Sequence, residues 1–187
     1  MNAKTRRVLQ WMSFAVLILA VGYAGVRFGS SLRTRNAPEV VETPEFPFMP
    51  GDAFPDVRLA DSLGTEVGSV ELVASKRGAV VLFLDPNCEG CSAMATRWEQ
   101  AVSAGVIQSE RVFGITSEAA ATNAQYRAAH ALSYPIYQDV ETAFLERHGV
   151  VTYPMEVVVG ASGEIQAVST DSKTPIDGES IGALIEK

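Results

Sequence analysis

Two cysteines stand three positions apart in the stretch Cys88-Glu89-Gly90-Cys91, and the 187-residue chain has no others. Thiols at this spacing can exchange disulfides, hold a permanent bridge, or supply half of a zinc site. A structural zinc site needs four ligands, and a catalytic one needs three and a water. The only histidines, His130 and His148, lie far along the chain without ligand-like spacing to the cysteines. Neither is assigned to catalysis. The context of the pair favours exchange over the static readings. The apolar run Ala79-Val80-Val81-Leu82-Phe83-Leu84 leads into Asp85-Pro86-Asn87, and the helix-compatible segment Ser92–Gln100 follows. A strand that turns into a helix at this point places Cys88 at the helix N-terminus, where free N–H groups and the helix dipole favour a thiolate. Cys91, one turn further in, is then placed to attack a mixed disulfide formed on Cys88.

These residues need a scaffold, and the rest of the chain supplies its pattern. Asp56–Ala60 and Leu63–Val67 read as a strand, a turn and a returning strand, with Val70-Glu71-Leu72 as a short helical turn. The buried strand 79–85 and a helix from Cys88 to Ser103 carry the cysteines. Arg111–Thr116 is a second buried strand, followed by an alanine-rich helix Glu118–Leu132 capped by Ser117. Tyr134–Asp139 is extended, and Asp139 is the expected cap of a helix reaching Arg147 and ended by Gly149. Met155–Gly160, a turn at Ala161–Glu164 and Ile165–Thr170 form a hairpin. A last helix opens at Asp177 or Ser180. Strands alternating with helices predict an α/β fold with a mainly parallel sheet and an antiparallel edge.

Charge is divided unevenly along the chain. Residues 1–37 carry +6 with no acidic residue, which against −7 for the whole chain leaves −13 on the remainder. An acidic globular part excludes the basic footprint that nucleic-acid binding requires. Val8–Val26 is an apolar run interrupted by Gln10 and Ser13, close to the roughly 20 residues that span a bilayer. Lys4, Arg6 and Arg7 favour a cytoplasmic N-terminus, and Arg27, Arg33 and Arg35 weaken that bias. Residues 1–29 are therefore expected to be a membrane anchor, the alternative being a signal peptide cleaved near Gly22-Tyr23-Ala24. Either puts the rest of the chain on the far side of the bacterial cytoplasmic membrane. Residues 30–50, with Pro38, Pro44, Pro47 and Pro50 among acidic residues, read as an extended linker. Phe46, Phe48 and Met49 are its apolar exceptions, suited to dock on the edge of a domain spanning 51–187.

Four features in order resemble the thioredoxin superfamily, and within it the membrane-anchored TlpA/ResA-like branch. They are Met49–Pro55 with the strand after it, the strand leading to Cys88–Cys91, Tyr134–Asp139, and His148–Pro154 with the following hairpin. The resemblance covers roughly residues 46–187. It implies a thioredoxin-like three-layer sandwich with a mixed, mainly parallel sheet, preceded by one transmembrane helix. It also implies a protein thiol–disulfide oxidoreductase whose only redox group is the Cys88–Cys91 pair, with no other cofactor and no metal. The implied partners are exported client proteins with disulfides and a membrane thiol that donates or accepts electrons. Relatives of this kind serve as reductants in cytochrome c maturation and similar assembly, and methylamine-dehydrogenase accessory proteins belong to the wider group. Pro154 would be the cis-proline facing the cysteines, and Tyr153 before it would present its backbone to a client peptide. A trans proline opening an edge strand is the alternative.

The chain departs from the family pattern where protons are handled. Gly90 replaces the usual proline between the cysteines, and Asn87 stands where many relatives have tryptophan. Leu82 and Met94 occupy positions that hold acids in thioredoxin and in ResA-type proteins. Glu156, on an otherwise apolar strand, is the candidate proton acceptor if buried near the thiols, and a solvated residue if it lies at a sheet margin. Glu89 is expected in solvent. Met94, Trp98 and Tyr126 read either as a partner surface or as core. The segment before Cys88 also resembles peroxiredoxins, but those place threonine and proline where this chain has Asp85 and Val81. A non-catalytic binding module remains the third reading.

Overall fold

The structure, a computed structural model, describes residues 47–170, residue 176 and residues 178–186, with side chains omitted at 178 and 179. The expected anchor and most of the linker lie outside the described residues. Among the described residues no helix is long and apolar enough to cross a membrane.

The elements follow one another as β1 (Arg58–Ala60), β2 (Glu66–Gly68), α1 (Ser69–Lys76), β3 (Ala79–Phe83) and α2 (Glu89–Ser103). A 3-10 turn at Ser109–Arg111 precedes β4 (Val112–Thr116), α3 (Ala120–Ala129), β5 (Ile136–Asp139) and α4 (Ala143–Glu146). The hairpin β6 (Met155–Val159) and β7 (Ile165–Ser169) leads to α5 (Gly178–Ile185). The seven strands form one sheet in the order β2-β1-β5-β4-β3-β6-β7.

The sheet is mixed but not mainly parallel, which corrects the expectation. Only β3–β4 and β4–β5 run parallel, because only α2 and α3 are full crossover helices between neighbouring strands. The β1–β2 and β6–β7 hairpins and their junctions β1–β5 and β3–β6 are antiparallel. Regular alternation of strand and helix in the sequence conceals how many strands arrive as hairpins.

Central β3 explains its unbroken apolar sequence by facing protein on both sides. Ala79, Val81 and Phe83 join one core cluster with Leu72 and Val73 of α1 and Phe144 of α4. Val80 and Leu82, followed by Leu84, join the other with Met94 and Trp98 of α2 and Ile181 of α5. Period-two alternation thus divides one strand between two layers. The first core reaches back to Phe48, which packs against Phe54, Phe83 and Phe144 while Met49 stays exposed. The folded unit therefore takes in a residue assigned by sequence to the linker; Phe46 lies outside the described residues.

Local signals are shifted in places. Ser117 does not cap α3. Instead the Thr116 hydroxyl accepts from Glu118 N–H and donates to Asn123 Oδ1 at 2.7 Å. Asp139 is not the N-cap of α4, which is Thr142, but from the end of β5 its two carboxylate oxygens accept the N–H groups of Ala143 and Phe144 at 2.9 and 2.7 Å. The short helix expected around Val70 extends over two turns to Lys76.

Candidate active site

The site grows out of the end of β3. Leu84 N–H still bonds across to Ile115, and Asp85-Pro86-Asn87 then turns the chain away from the sheet. Asp85 Oδ1 accepts the Asn87 N–H at 2.8 Å, and the Asp85 carbonyl accepts the Cys88 N–H at 3.0 Å. Proline removes one donor within this turn and asparagine tolerates it, so the local sequence fits its geometry. Cys88 is the N-cap of α2, with extended backbone, and its Sγ accepts the Cys91 N–H at 3.2 Å.

Cys91 differs from Cys88 in its burial. It is fully buried, and its Sγ accepts the Asp85 N–H at 3.4 Å. Burial, together with the neighbouring Cys88 sulfur, pushes the Cys91 thiol up to about 12. Both cysteines are free thiols in the structure. Cys88 is partly exposed and Cys91 is buried one turn behind it, an arrangement suited to attack followed by internal resolution.

Across from the pair, the Tyr153–Pro154 peptide is cis and Pro154 is buried at the start of β6. A Cβ placed on Gly90 would lie 3.2 Å from Pro154 Cδ and 3.8 Å from Cys88 Sγ, so the proline ring sits directly against the motif. Glycine between the cysteines fits this close approach, and β6 lies inside the sheet between β3 and β7 rather than at its edge. Tyr153 is half-buried against both cores; burial, with Asp85, Asp139 and Cys91 nearby, pushes its phenol up. The structure thus brings Cys88, Cys91, Tyr153 and Pro154 together.

Glu156 is placed differently. Alternation along β6 turns it under α2, opposite Leu82 in register, and it is fully buried rather than at a sheet margin. Its Oε2 accepts from the Trp98 indole N–H at 2.9 Å and pairs with the Arg97 guanidinium, and its Oε1 accepts the Ile176 N–H at 2.8 Å. Trp98 follows Cys91 by seven residues, which puts its Cα about 10 Å further along the helix. The carboxylate is engaged by partners around Trp98, two turns from the reactive end of α2. Glu89 is exposed, and Met94 and Trp98 are core.

Sequence reading passed over a polar group beside the cysteines. Ser92, the residue after Cys91, has its Oγ 3.3 Å from His130 Nε2. The His130 ring lies against Tyr126, with centroids 4.5 Å apart. Tyr126 is buried in the same cluster as Cys91. The four-residue spacing of Tyr126 and His130 places them on one helix face, which is the only signal the sequence offers for this group. Among the described residues no cluster of three or more histidines, cysteines and carboxylates could hold a metal ion.

Residues 50–168, more than half the chain, match the AhpC/TSA family. The chain belongs to that family. Solved structures with the same fold include the thiol:disulfide interchange protein DsbE from Chlorobium tepidum, described as putative in its own right (16% identity, TM-score 0.58, 74% of this chain and 96% of that one). A secreted Mycobacterium tuberculosis disulfide oxidoreductase homologous to E. coli DsbE is similar at 18% identity (TM-score 0.53, 68% of this chain and 92% of that one). The thiol peroxidase from Chromobacterium violaceum is similar at 14% identity (TM-score 0.57, 74% and 86%). At these identities the likeness establishes the thioredoxin-like fold, in agreement with the resemblance to TlpA/ResA-like proteins. No protein of curated function matches the chain significantly.

Proposed function

We propose that this AhpC/TSA-family protein is a thiol–disulfide oxidoreductase that reduces disulfides in exported client proteins. Cys88 attacks the client disulfide, a mixed disulfide forms, and Cys91 attacks Cys88 to release the reduced client. The observation that carries this reading is the asymmetry of the pair, a partly exposed Cys88 at a helix N-cap backed by a fully buried Cys91. Pro154 beside the motif gives an extended client segment a place to lie, with the Tyr153 backbone as its pairing edge. The basic, apolar N-terminus supports tethering to the bacterial cytoplasmic membrane with the domain outside, near a membrane thiol that recharges the pair.

The test is to replace Cys91 with serine in the full-length protein, express it in its own cells, and search non-reducing gels for adducts on Cys88. Discrete adducts that vanish with reductant and in a Cys88→Ser control support exchange. Their absence, with the wild-type pair permanently bridged, favours a non-catalytic binding module. Family membership and the peroxidase fold neighbours favour a second reading, a peroxidase. Against it, Val81 is sealed within β3 and Asp85 occupies the turn, in the positions where peroxiredoxins place proline and threonine. Rapid consumption of hydrogen peroxide by the reduced protein, dependent on Cys88, would reverse this preference.

A further inference from the structure

This inference rests on the exchange reading above. Gly90 is the second residue of α2, and its φ is not positive. Any L residue adopts that backbone, and glycine inside a helix loosens it relative to alanine. Conformation therefore does not call for glycine here. Space does. A Cβ at position 90 would lie 3.2 and 3.6 Å from Pro154 Cδ and Cγ, and 3.8 Å from Cys88 Sγ. The contact with sulfur would be an ordinary one, and the ring would have to yield by a few tenths of an ångström. Gly68 and Gly114 also lack a positive φ. A Cβ there would meet Asp56, or Ile136 and Leu84, which are neighbours within the fold. At Gly90 it would meet the attacking sulfur and the cis-proline that faces it. Gly90 and Cys88 are partly exposed and Pro154 is buried, so the notch between them opens to solvent with the ring as its inner wall.

We propose that Gly90 determines specificity: the notch it leaves between Cys88 Sγ and the Pro154 ring seats client atoms attached to the attacked sulfur. The substrates it favours are disulfides crowded by their own polypeptide chain. In the attack, Cys88 gives its proton to solvent and its sulfur forms a bond to one client sulfur. The client S–S bond breaks, and its electron pair leaves on the other client sulfur as a thiolate. The carbon carried by the attacked sulfur must come to rest beside Cys88. With hydrogen at position 90, a methylene fits there against both the sulfur and the proline ring. A methyl group at position 90 would take that place. A slim disulfide has other directions from which to reach Cys88, because nothing but its own two sulfurs has to be accommodated. A disulfide within a protein brings backbone and neighbouring side chains with it, and these close off the other approaches.

The test uses the reduced full-length protein carrying Cys91→Ser, so that only the attack by Cys88 is followed and the redox potential of the pair does not enter. Two probes are compared, bis(2-hydroxyethyl) disulfide as the slim one and insulin as the crowded one. Mass spectrometry of acid-quenched samples gives the rate of mixed-disulfide formation on Cys88. Adding Gly90→Ala is expected to slow the reaction with insulin by about tenfold and to leave that with the slim probe within about twofold, in the range that one methyl group contributes to discrimination. Gly90→Ser should behave like Gly90→Ala, since size and not polarity is at issue. A third measurement needs no change at position 90. With free glutathione as the attacking thiol, the ratio of the insulin rate to the slim-probe rate gives the intrinsic preference, and Cys88 beside Gly90 should exceed that ratio by about tenfold or more. A ratio no higher than that of glutathione overturns the proposal. So does an equal change with both probes in the Gly90 variants, or no change with either, and both results leave exchange standing. A Cys91→Ser protein with Gly90 intact that reacts with neither probe defeats the exchange reading itself.

Discussion

Helix α2 carries a polar group at each of two levels, and the two are finished differently. Around Trp98, Glu156 is fully buried and both carboxylate oxygens are used, by Arg97, the indole N–H and the Ile176 backbone. Around Cys91, the buried sulfur accepts the Asp85 N–H at 3.4 Å, and the buried Tyr126 hydroxyl has no hydrogen-bond partner among the described residues. Buried polar groups are ordinarily satisfied. A saturated cluster fixes structure, because removing any member strands the others. An unsaturated one keeps donors and acceptors available for groups that appear only during reaction. The carboxylate that stands out most in the sequence is therefore held in the scaffold around Trp98.

Breaking the saturated level should give the largest change in stability. Glu156→Ala removes the acceptor shared by Arg97, the Trp98 indole and the Ile176 N–H, and with the buried indole N–H stranded it is expected to lower unfolding free energy by about 1–3 kcal/mol. Glu156→Gln, which keeps an acceptor, should lose less. Denaturant titration measures both. The decisive comparison is kinetic: the pH profile of the step in which Cys91 resolves the mixed disulfide should be the same in Glu156→Gln as in wild type, and a displaced profile would return Glu156 to the reactive level.

The unsaturated level has its own signature in alkali. The folded Cys91 thiol is raised from 9.0 to about 12, mainly by burial. Below 9 it is protonated whether folded or unfolded and contributes no pH dependence. Above 9 the unfolded chain binds fewer protons than the folded one, so stability of the dithiol form falls as pH rises toward 12. One proton limits the slope to about 1.4 kcal/mol per pH unit. Thermal unfolding of the reduced protein and of Cys91→Ala, followed from about pH 8 to about pH 10.5, should diverge in that direction. Parallel curves would mean that the buried thiol is not set apart from its surroundings.

The smallest effects separate two tyrosines. Tyr134 Oη donates to the Ala95 carbonyl at 3.0 Å, and burial pushes its phenol up strongly. Tyr134→Phe should cost about 1 kcal/mol. Tyr126→Phe removes a hydroxyl without a good partner, so its unfolding free energy should be unchanged or higher by up to about 1 kcal/mol. A loss for Tyr126→Phe matching that of Tyr134→Phe would show that both levels of α2 are equally saturated.

The sequence by itself determined what local chemistry can determine. The Cys88–Cys91 spacing, the apolar strand before it and the helix after it specify a strand-to-helix turn, because apolar periodicity and N-terminal capping operate over a few residues. The tie of Asp139 to the start of α4 and the β6–β7 hairpin were legible for the same reason. The tertiary structure decided whatever depends on residues distant in the chain. Strand direction turned on which segments arrive as hairpins. The fate of Glu156 turned on Arg97 and Trp98, 59 and 58 residues away. The polar neighbours of Cys91 turned on α3 bringing His130 to Ser92 across 38 residues. Spacing in sequence carries no record of such meetings, since burial and hydrogen bonding are fixed only when separate elements pack.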